Sequence, residues 1–465
     1  MTLLALLLAP ALARPTDGTG LYPFDDTDVV VSHDSAGGGA RVWYSTDGPN
    51  VTLLADTDAS GVPDFVEEVA ARTEDVLVVY GDAGFRAPLP DGGRGGSDAM
   101  DVYLVDFGGN ADGMYSAESC SSRPTQCSGY FTMENDFAGY GYGDLAEAIR
   151  VLTSHELFHA VQAAYDAEEE VWFSEGTAVW AEELYETESS DFLSFCSAYL
   201  DDTGRSLDEP PAGPVPTFAY ATAIWWWYLS NQYGDDVILD LLEATEEGDD
   251  LLADMADIQA ARGGSLAEDF ATFARWNLAT GRLAGAIESY PFAERLGTPR
   301  AEEDGATLDD DNRFYPLAAT YYKIEHEGGE LWFAAEADAP ELALSLHATD
   351  AEGRLLAASD AFAPTAAPRA FGALDANEYW LVGSNPTLAE ESTKLRFCVG
   401  DADHVATCAP LAEGDTADTA ADSGEDDPGS GTCGCASGGA PTGLAWGVAL
   451  LAAVGARRRG ATSSR

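Results

Sequence analysis

Residues 153–162, TSHELFHAVQ, place His155 and His159 four apart with Glu156 between them. On an α-helix, positions four apart differ by about 40° around the axis, so both imidazoles leave one face and can grip a single ion. Two neutral imidazoles held this way suit Zn²⁺, and the flanking carboxylate can take a proton from a water. A catalytic site needs in addition a third protein ligand and a fourth position left to solvent. The stretch VWFSEGTAVWAEEL (171–184) offers one. Ser174 reads as the N-cap of a second helix, which Glu175 would open after a loop that returns it beside the first. Alone, Glu175 would be a first-turn carboxylate favoured by the helix dipole. Beside the histidine pair it is the candidate third ligand. Glu182, seven residues on and nearly on the same face, is the alternative ligand or a group that orients one.

SHELFHA followed by WFSEGTAVWAEE resembles the gluzincin metallopeptidases, above all the aminopeptidase-N-like pattern of HExxH and then W-x-x-E-G-x-A-x-[WY]-x-E. The resemblance covers roughly residues 129–235. It implies a thermolysin-like core with zinc on His155, His159 and Glu175 and with Glu156 as general base. It also implies an oxyanion-stabilising tyrosine ahead of a helix. Tyr220 in FAYATAIWWW stands at a similar place, although Thr222 and Ala223 occupy positions that are Lys-Gly in that family. The spacer between the two motifs is a few residues shorter than is usual there. A strand ahead of the zinc helix, residues 129–135, is expected to form the edge that pairs with extended substrate.

A second cation motif precedes these. DTDASGVPDFVE (56–67) follows the twelve-residue calcium loop, with Asp56, Asp58 and Ser60 at positions one, three and five. Gly61 makes the turn, Val62 offers a carbonyl, and Asp64 and Glu67 fall at nine and twelve. A strand-like segment before the loop rules out a full EF-hand, and Ser60 removes one charge. An Asp/Gly turn that caps the next helix would look the same.

Acidic residues outnumber basic ones 81 to 23 in 465, a formal charge of −58. A field of that sign repels phosphate backbones and anionic headgroups, which excludes nucleic acid as a partner. Residues 1–13, MTLLALLLAPALA, read as a secretory signal ending in A-x-A. Export permits disulfides, and the short spacings of Cys120 with Cys127 and of Cys398 with Cys408 suit local bridges. Cys196 reads as a buried thiol.

The expected fold class is α+β. A zincin-like metallopeptidase domain of mixed sheet and helices spans 14–300, with the calcium-type loop inside it, and a β-sandwich of about seven strands spans 307–410. Within the first domain a helix is expected over 64–80, a strand over 100–107, a capped helix after Asp144 and one long helix over 218–234. Residues 411–432 are acidic and poor in apolar groups, the composition of a disordered tether. The last segment, 433–465, joins CGC, a short apolar run and an Arg cluster. It resembles the tripartite MYXO-CTERM sorting tags of exported myxobacterial proteins. That resemblance implies processing at the Cys motif by a sorting protease, membrane contact only through the tail, and display on a Gram-negative-type cell surface or release. The function expected is an exported zinc metallopeptidase acting on protein or peptide. The alternative is a surface-tethered, calcium-binding adhesion or structural protein on a non-catalytic zincin fold.

Overall fold

The computed structural model describes residues 13–408, except 123, 188, 212–215, 247–249, 327–328, 339–340, 372–375, 377 and 389–391. The leader other than its last residue, the acidic linker and the Cys-motif tail lie outside them. None of the described helices is long and apolar enough to cross a membrane.

The first half is built on one mixed sheet. Its strands are β1 (Val30–Asp34), β2 (Ala40–Ser45), β3 (Met100–Val105), β4 (Gly113–Cys120) and β5 (Cys127–Glu134), in spatial order β1-β2-β3-β5-β4. β2, β3 and β5 are parallel, whereas β1 and β4 run antiparallel at the two edges. β3 reads MDVYLV and is buried on both faces, as a central strand of near-continuous apolar character should be. One face carries Val102 and Leu104 against α1 (Asp64–Asp82) and α2 (Leu145–Gln162). The other carries Tyr103 and Val105 against Phe24, Phe107 and Tyr130.

The strand order corrects one expectation. Residues 129–135 do not form an edge: β5 is paired on both sides, and the edge is β4, which follows the turn at 106–112. Hydrophobic alternation sets which face of a strand is buried, but strand order follows from long-range pairing that alternation does not encode.

Among the described residues seven further α-helices complete this unit: α3 (Val171–Tyr185), α4 (Ser190–Leu200), α5 (Thr217–Ala221), α6 (Ala223–Tyr233), α7 (Asp236–Thr245), α8 (Leu251–Ala261) and α9 (Leu266–Leu278). The single helix expected over 218–234 is broken in two. Thr222 turns its hydroxyl to the Trp172 carbonyl (2.7 Å) and the Ala219 carbonyl (2.7 Å), a tertiary contact that ends α5 and starts α6. The aromatic run is core, with Trp226 stacked on Trp172 and Trp225 against Phe273.

Residues 301–400 form two facing sheets, ordered β11-β10-β13-β8-β6 and β12-β9-β14-β7. Their strands are β6 (Ala301–Gly305), β7 (Leu308–Phe314), β8 (Ala318–Glu325), β9 (Trp332–Ala337), β10 (Ala343–Thr349), β11 (Leu355–Ala358), β12 (Arg369–Ala370), β13 (Glu378–Asn385) and β14 (Thr393–Gly400). A short helix, α10 (Ala402–Ala406), follows. The chain is therefore α+β. Two more strands than expected appear, because the acidic runs 301–305 and 308–314 pair at sheet edges without an apolar signature of their own. The sandwich leans on α9 through Tyr321 and Trp380, and the Tyr321 hydroxyl donates to the Ala274 carbonyl (2.9 Å). Cys120–Cys127 and Cys398–Cys408 are disulfide-bonded, and Cys196 is a buried thiol.

The far face of the first sheet is closed by the N-terminal segment. Arg14 is buried there, and its guanidinium donates to Asp91 (2.5 Å), Asp101 (2.5 Å) and Glu118 (2.6 and 2.8 Å). Three carboxylates on separate segments converge on this cation; Arg94 also reaches Glu118 (2.9 Å) and the Trp43 indole Asp101 (2.8 Å), but removing Arg14 leaves buried negative charge underpaired. Arg14→Ala should cost about 3–5 kcal/mol of unfolding free energy. Urea denaturation measures it, and a loss below about 1 kcal/mol would show that the cluster relaxes without its arginine.

Candidate metal centre

α2 begins as the sequence indicates. Asp144 is its N-cap, and its carboxylate accepts the Glu147 N–H (2.8 Å). The reciprocal half of a capping box is shifted by one residue, since the Glu147 carboxylate takes the Gly143 N–H (2.8 Å). From Ala148 on, α2 is almost entirely buried between β4 and β5 on one side and α1 and α3 on the other. Such a helix has no solvated face, so its polar residues must either be satisfied internally or serve a purpose.

Ser154 is satisfied by the carbonyls of Arg150 and Val151. His155, Glu156 and His159 are treated differently. The His155 Nδ1–H points to Glu182 Oε1 (2.9 Å) and the His159 Nδ1–H to Gln162 Oε1 (2.7 Å). Gln162 can only accept there, because its amide nitrogen is spent on the Ser174 carbonyl and Thr177 Oγ1 (both 2.8 Å). Nδ1 of each ring is thus engaged away from the centre, and both Nε2 atoms face it.

Those two nitrogens converge. His155 Nε2 and His159 Nε2 are 3.2 Å apart, and Glu175 Oε2 is 3.4 Å from each. A tetrahedral ion with donors at about 2.0–2.1 Å sets neighbouring donors about 3.3–3.4 Å apart, so the triangle has the size of one tetrahedral face. Three donor atoms this close in a buried site need a cation, a proton or a metal ion, between them. A single proton satisfies only one pair, whereas a divalent ion satisfies all three. The residues fit the group.

α3 delivers Glu175, though not as expected. The helix starts at Val171 with Glu170 as N-cap, so Ser174 lies inside it and Glu175 in its second turn. Val171, Trp172 and Phe173 extend the helix toward its N-terminus because two of them are core side chains. The short spacer is accommodated by pinning. Its Ala163 carbonyl accepts the Cys127 N–H (2.7 Å), and its Ala167 N–H donates to the Thr125 carbonyl (2.8 Å), at the hairpin that Cys120–Cys127 closes. Gly176 lets α3 lie on the α5–α6 break, where a Cβ would run into the Thr222 hydroxyl and the Trp226 indole.

Glu156 points elsewhere. It is buried, neither carboxylate oxygen has a hydrogen-bond partner, and it rests against Gly113 at the start of β4, where a Cβ would collide with it. Burial pushes its carboxyl up to about 8. Glu175, although burial opposes it, is held down at about 2 by the two imidazoles. Burial lowers His155 to about 4. At His159 burial also acts downward, but the Glu175 carboxylate overrides it and lifts the ring to about 9. Burial drives Glu182 upward, with Asp191 adding like charge.

Tyr220, in α5, is buried with its ring centroid 5.8 Å from that of His155, stacked on Phe195, and its hydroxyl has no partner. Glu182 does not join the converging donors. It holds His155 from behind, the second of the two roles open to it in the sequence. Two neighbours were not read from the sequence. Gln162 is three residues beyond His159 on the same helix face, a spacing that could have revealed it. Asp112, in the turn before β4, gives no such signal. Its Oδ2 accepts the Tyr142 hydroxyl (2.8 Å), its Oδ1 has no partner, and burial pushes it up to about 7.

In the 56–67 loop the carboxylates of Asp56, Asp58 and Asp64 converge, and Glu67 stands outside the group. The turn is also closed by its own backbone: Asp56 accepts from Ser60 and Gly61, and Asp64 from Thr57. Ser60 Oγ lies 3.2 Å from the Val62 carbonyl. Ala59 and Gly61 take positive φ, at 62° and 92°.

No protein-family model and no curated protein matches the sequence. Among solved structures, the crystal structure of Legionella pneumophila aminopeptidase A in complex with aspartic acid is similar over 79% of this chain and 37% of that one, so the chain spans little more than a third of its length. Sequence identity is 12% and the TM-score 0.34. The site therefore stands on its own geometry.

Two outcomes test it with zinc as the probe. Gln162→Leu removes the acceptor that orients His159 and should weaken zinc binding about 10–100-fold in competition with a chromophoric chelator. An unchanged affinity would mean that His159 is not oriented by Gln162. Because His159 lies above neutral pH without a cation, zinc must displace its proton, so binding at pH 7.5 should release at least one proton per ion. Calorimetry in buffers of different ionisation enthalpy reads this, and zero release would contradict the assigned state of His159.

Proposed function

We propose that the chain is a zinc-dependent metallopeptidase of the gluzincin kind, hydrolysing peptide bonds with Glu156 as general base. One observation carries the reading: three donors converge on a point, and beside them stands a buried carboxylate with no partner of its own. A purely structural site gains nothing from an unsatisfied Glu156, whose burial costs stability.

His155, His159 and Glu175 would hold the ion. When bound, zinc supplies Lewis acidity, lowering the pKa of a water and drawing electron density from a carbonyl. Glu156 takes the proton of the attacking water and passes it to the departing amine. Its raised basicity, set chiefly by burial, strengthens it for the first transfer and still lets it release the proton in the second. Tyr220 donates its otherwise unpartnered hydroxyl to the oxyanion. The peptide adds in extended form along β4, the sheet edge nearest Glu156, so that main-chain pairing fixes its register.

The same proposal includes export, with the leader removed and the C-terminal tail processed at its Cys motif for retention at the cell surface or release. Two disulfides support it, since such bridges persist in oxidising compartments. Calcium is proposed for the 56–67 loop, where three converging carboxylates suit a hard cation.

Glu156→Gln should keep one equivalent of zinc and lose hydrolysis of a generic peptide library, read by mass spectrometry. Tyr220→Phe should lower kcat by about 10²–10³ with little change in KM, as expected for loss of one oxyanion donor. Chelation should abolish wild-type cleavage and zinc should restore it. Full turnover in the Glu156→Gln variant would overturn the assignment of the base.

A further inference from the structure

The Gly-rich stretch DGGRGGSD (91–98) covers the first residue beyond the A-x-A motif, Arg14. Gly95 takes φ 75°, and a Cβ there would strike both the Asp101 carboxylate and the Arg14 guanidinium. Asp91 and Arg94 of the same stretch join the cluster, Asp91 pairing with Arg14 and Arg94 with Glu118. Arg14 Nη1 also lies 3.3 Å from the Tyr103 hydroxyl, and the guanidinium carbon is 5.6 Å from the centroid of the Tyr130 ring. Arg14 is 2% exposed, held by β3, β4, β5 and the Gly-rich stretch together. Burying a guanidinium is costly unless its N–H groups are paired, and here the pairing partners come from four segments.

The backbone of Arg14 is held as well as its side chain. Pro15 opens a single 3-10 turn, Pro15–Asp17, that brings Asp17 back onto Arg14. Asp17 Oδ2 accepts the Arg14 N–H (3.0 Å), and the Arg14 carbonyl accepts the Asp17 N–H (2.9 Å). The Ala13 carbonyl accepts the Tyr130 hydroxyl (3.0 Å). The Arg14 nitrogen thus faces a carboxylate at the peptide bond where the A-x-A pattern ends. Around it the carboxylates of Asp17, Asp91, Asp101 and Glu118 meet the guanidiniums of Arg14 and Arg94. A positive charge on that nitrogen would strengthen its bond to Asp17, since charged donors bond more tightly than neutral amides.

Resting on the export part of the proposed function, we propose that the leader is cut between Ala13 and Arg14, and that the α-ammonium so created docks on Asp17 as the seated start of the mature chain. A leader peptidase adds water across the bond. The new carboxylate departs on Ala13, and the protonated amine stays on Arg14. Loss of Ala13 also releases the Tyr130 hydroxyl, which is then free to accept from the ammonium. Asp101 belongs to β3 and Glu118 to β4, so the seated terminus bridges these strands across β5. It braces the edge strand from the face opposite α2.

The test begins with the full chain, produced in a Gram-negative host. Mass spectrometry of the exported protein's amino terminus should find Arg14 as the first residue. Exported protein with any other first residue overturns the proposal and leaves export standing. Protein that stays in the cytoplasm with residues 1–13 attached overturns export and this proposal together. Neither result touches zinc binding or peptide cleavage, which are read separately.

A second measurement reads the docking itself, on a chain made to begin at Arg14 by cutting a fusion directly ahead of it. Pairing with Asp17 keeps the α-amine protonated, and so slow to react with an acylating reagent near neutral pH. Asp17→Asn should speed labelling of that amine about two- to fivefold, the range for a partly exposed ion pair. The Asp17 side chain is half-exposed, so the fold should tolerate this substitution. In a control chain carrying Gly-Ala ahead of Arg14, Asp17→Asn should leave the labelling rate unchanged. Equal rates with and without the substitution in the chain beginning at Arg14, or an equal acceleration in the control, overturn the docked ammonium.

Discussion

Two imidazole nitrogens and one carboxylate oxygen meet across 3.2–3.4 Å in a buried site, an arrangement that a single proton on His159 balances only in part. Much of the surrounding architecture holds them there. Glu182 and Gln162 fix which ring nitrogen of each histidine carries hydrogen, and Gln162 is fixed in turn by Ser174 and Thr177 of α3. The helix that supplies Glu175 thus also orients His159. Moving α3 would lose a donor and an orienting group together. The ligand set is defined by the docking of two helices rather than by either one.

That docking relies on features far from the ion. The loop between α2 and α3 is tied to the β4–β5 hairpin by backbone hydrogen bonds and closed by Cys120–Cys127. On its other side α3 needs Gly176 to approach Thr222, and Thr222 needs the Trp172 carbonyl to break the helix that begins with Tyr220's segment. Tyr220 lies just ahead of that break, with its ring beside His155.

The parts of the site carried by local spacing were legible in the sequence. His155, Glu156 and His159 need only helical periodicity to share a face, and Glu175 needs only a second helix within loop reach. The cap at Asp144 and the two disulfides are similarly local. What depends on pairing across the chain was not legible. The edge role moves from 129–135 to 113–120 because strand order is set by which segments meet. Ser174 is inside a helix because Trp172 and Phe173 must be buried, and burial outweighs a favourable cap residue. Asp112 sits in a turn whose sequence, GNADG, is indistinguishable from any solvated turn until the fold buries it.

Elsewhere among the described residues, buried charge is carefully paired. Arg14 answers three carboxylates behind the sheet, and the Asp269 carboxylate between α8 and α9 accepts from Tyr233 and Gln259. Among the described residues the buried carboxyls with neither oxygen hydrogen-bonded are Glu156 and Glu175. A chain able to satisfy Asp101 with both an arginine and an indole N–H does not lack the means to satisfy these. Other buried side-chain atoms without a partner, on Tyr199, Asn277 and His347 among them, are spread singly through the core, whereas the two carboxyls with both oxygens unpaired meet at one point. Each unpaired group costs stability. Two such carboxyls together are what results where a missing partner, such as a metal ion, is supplied from outside the chain.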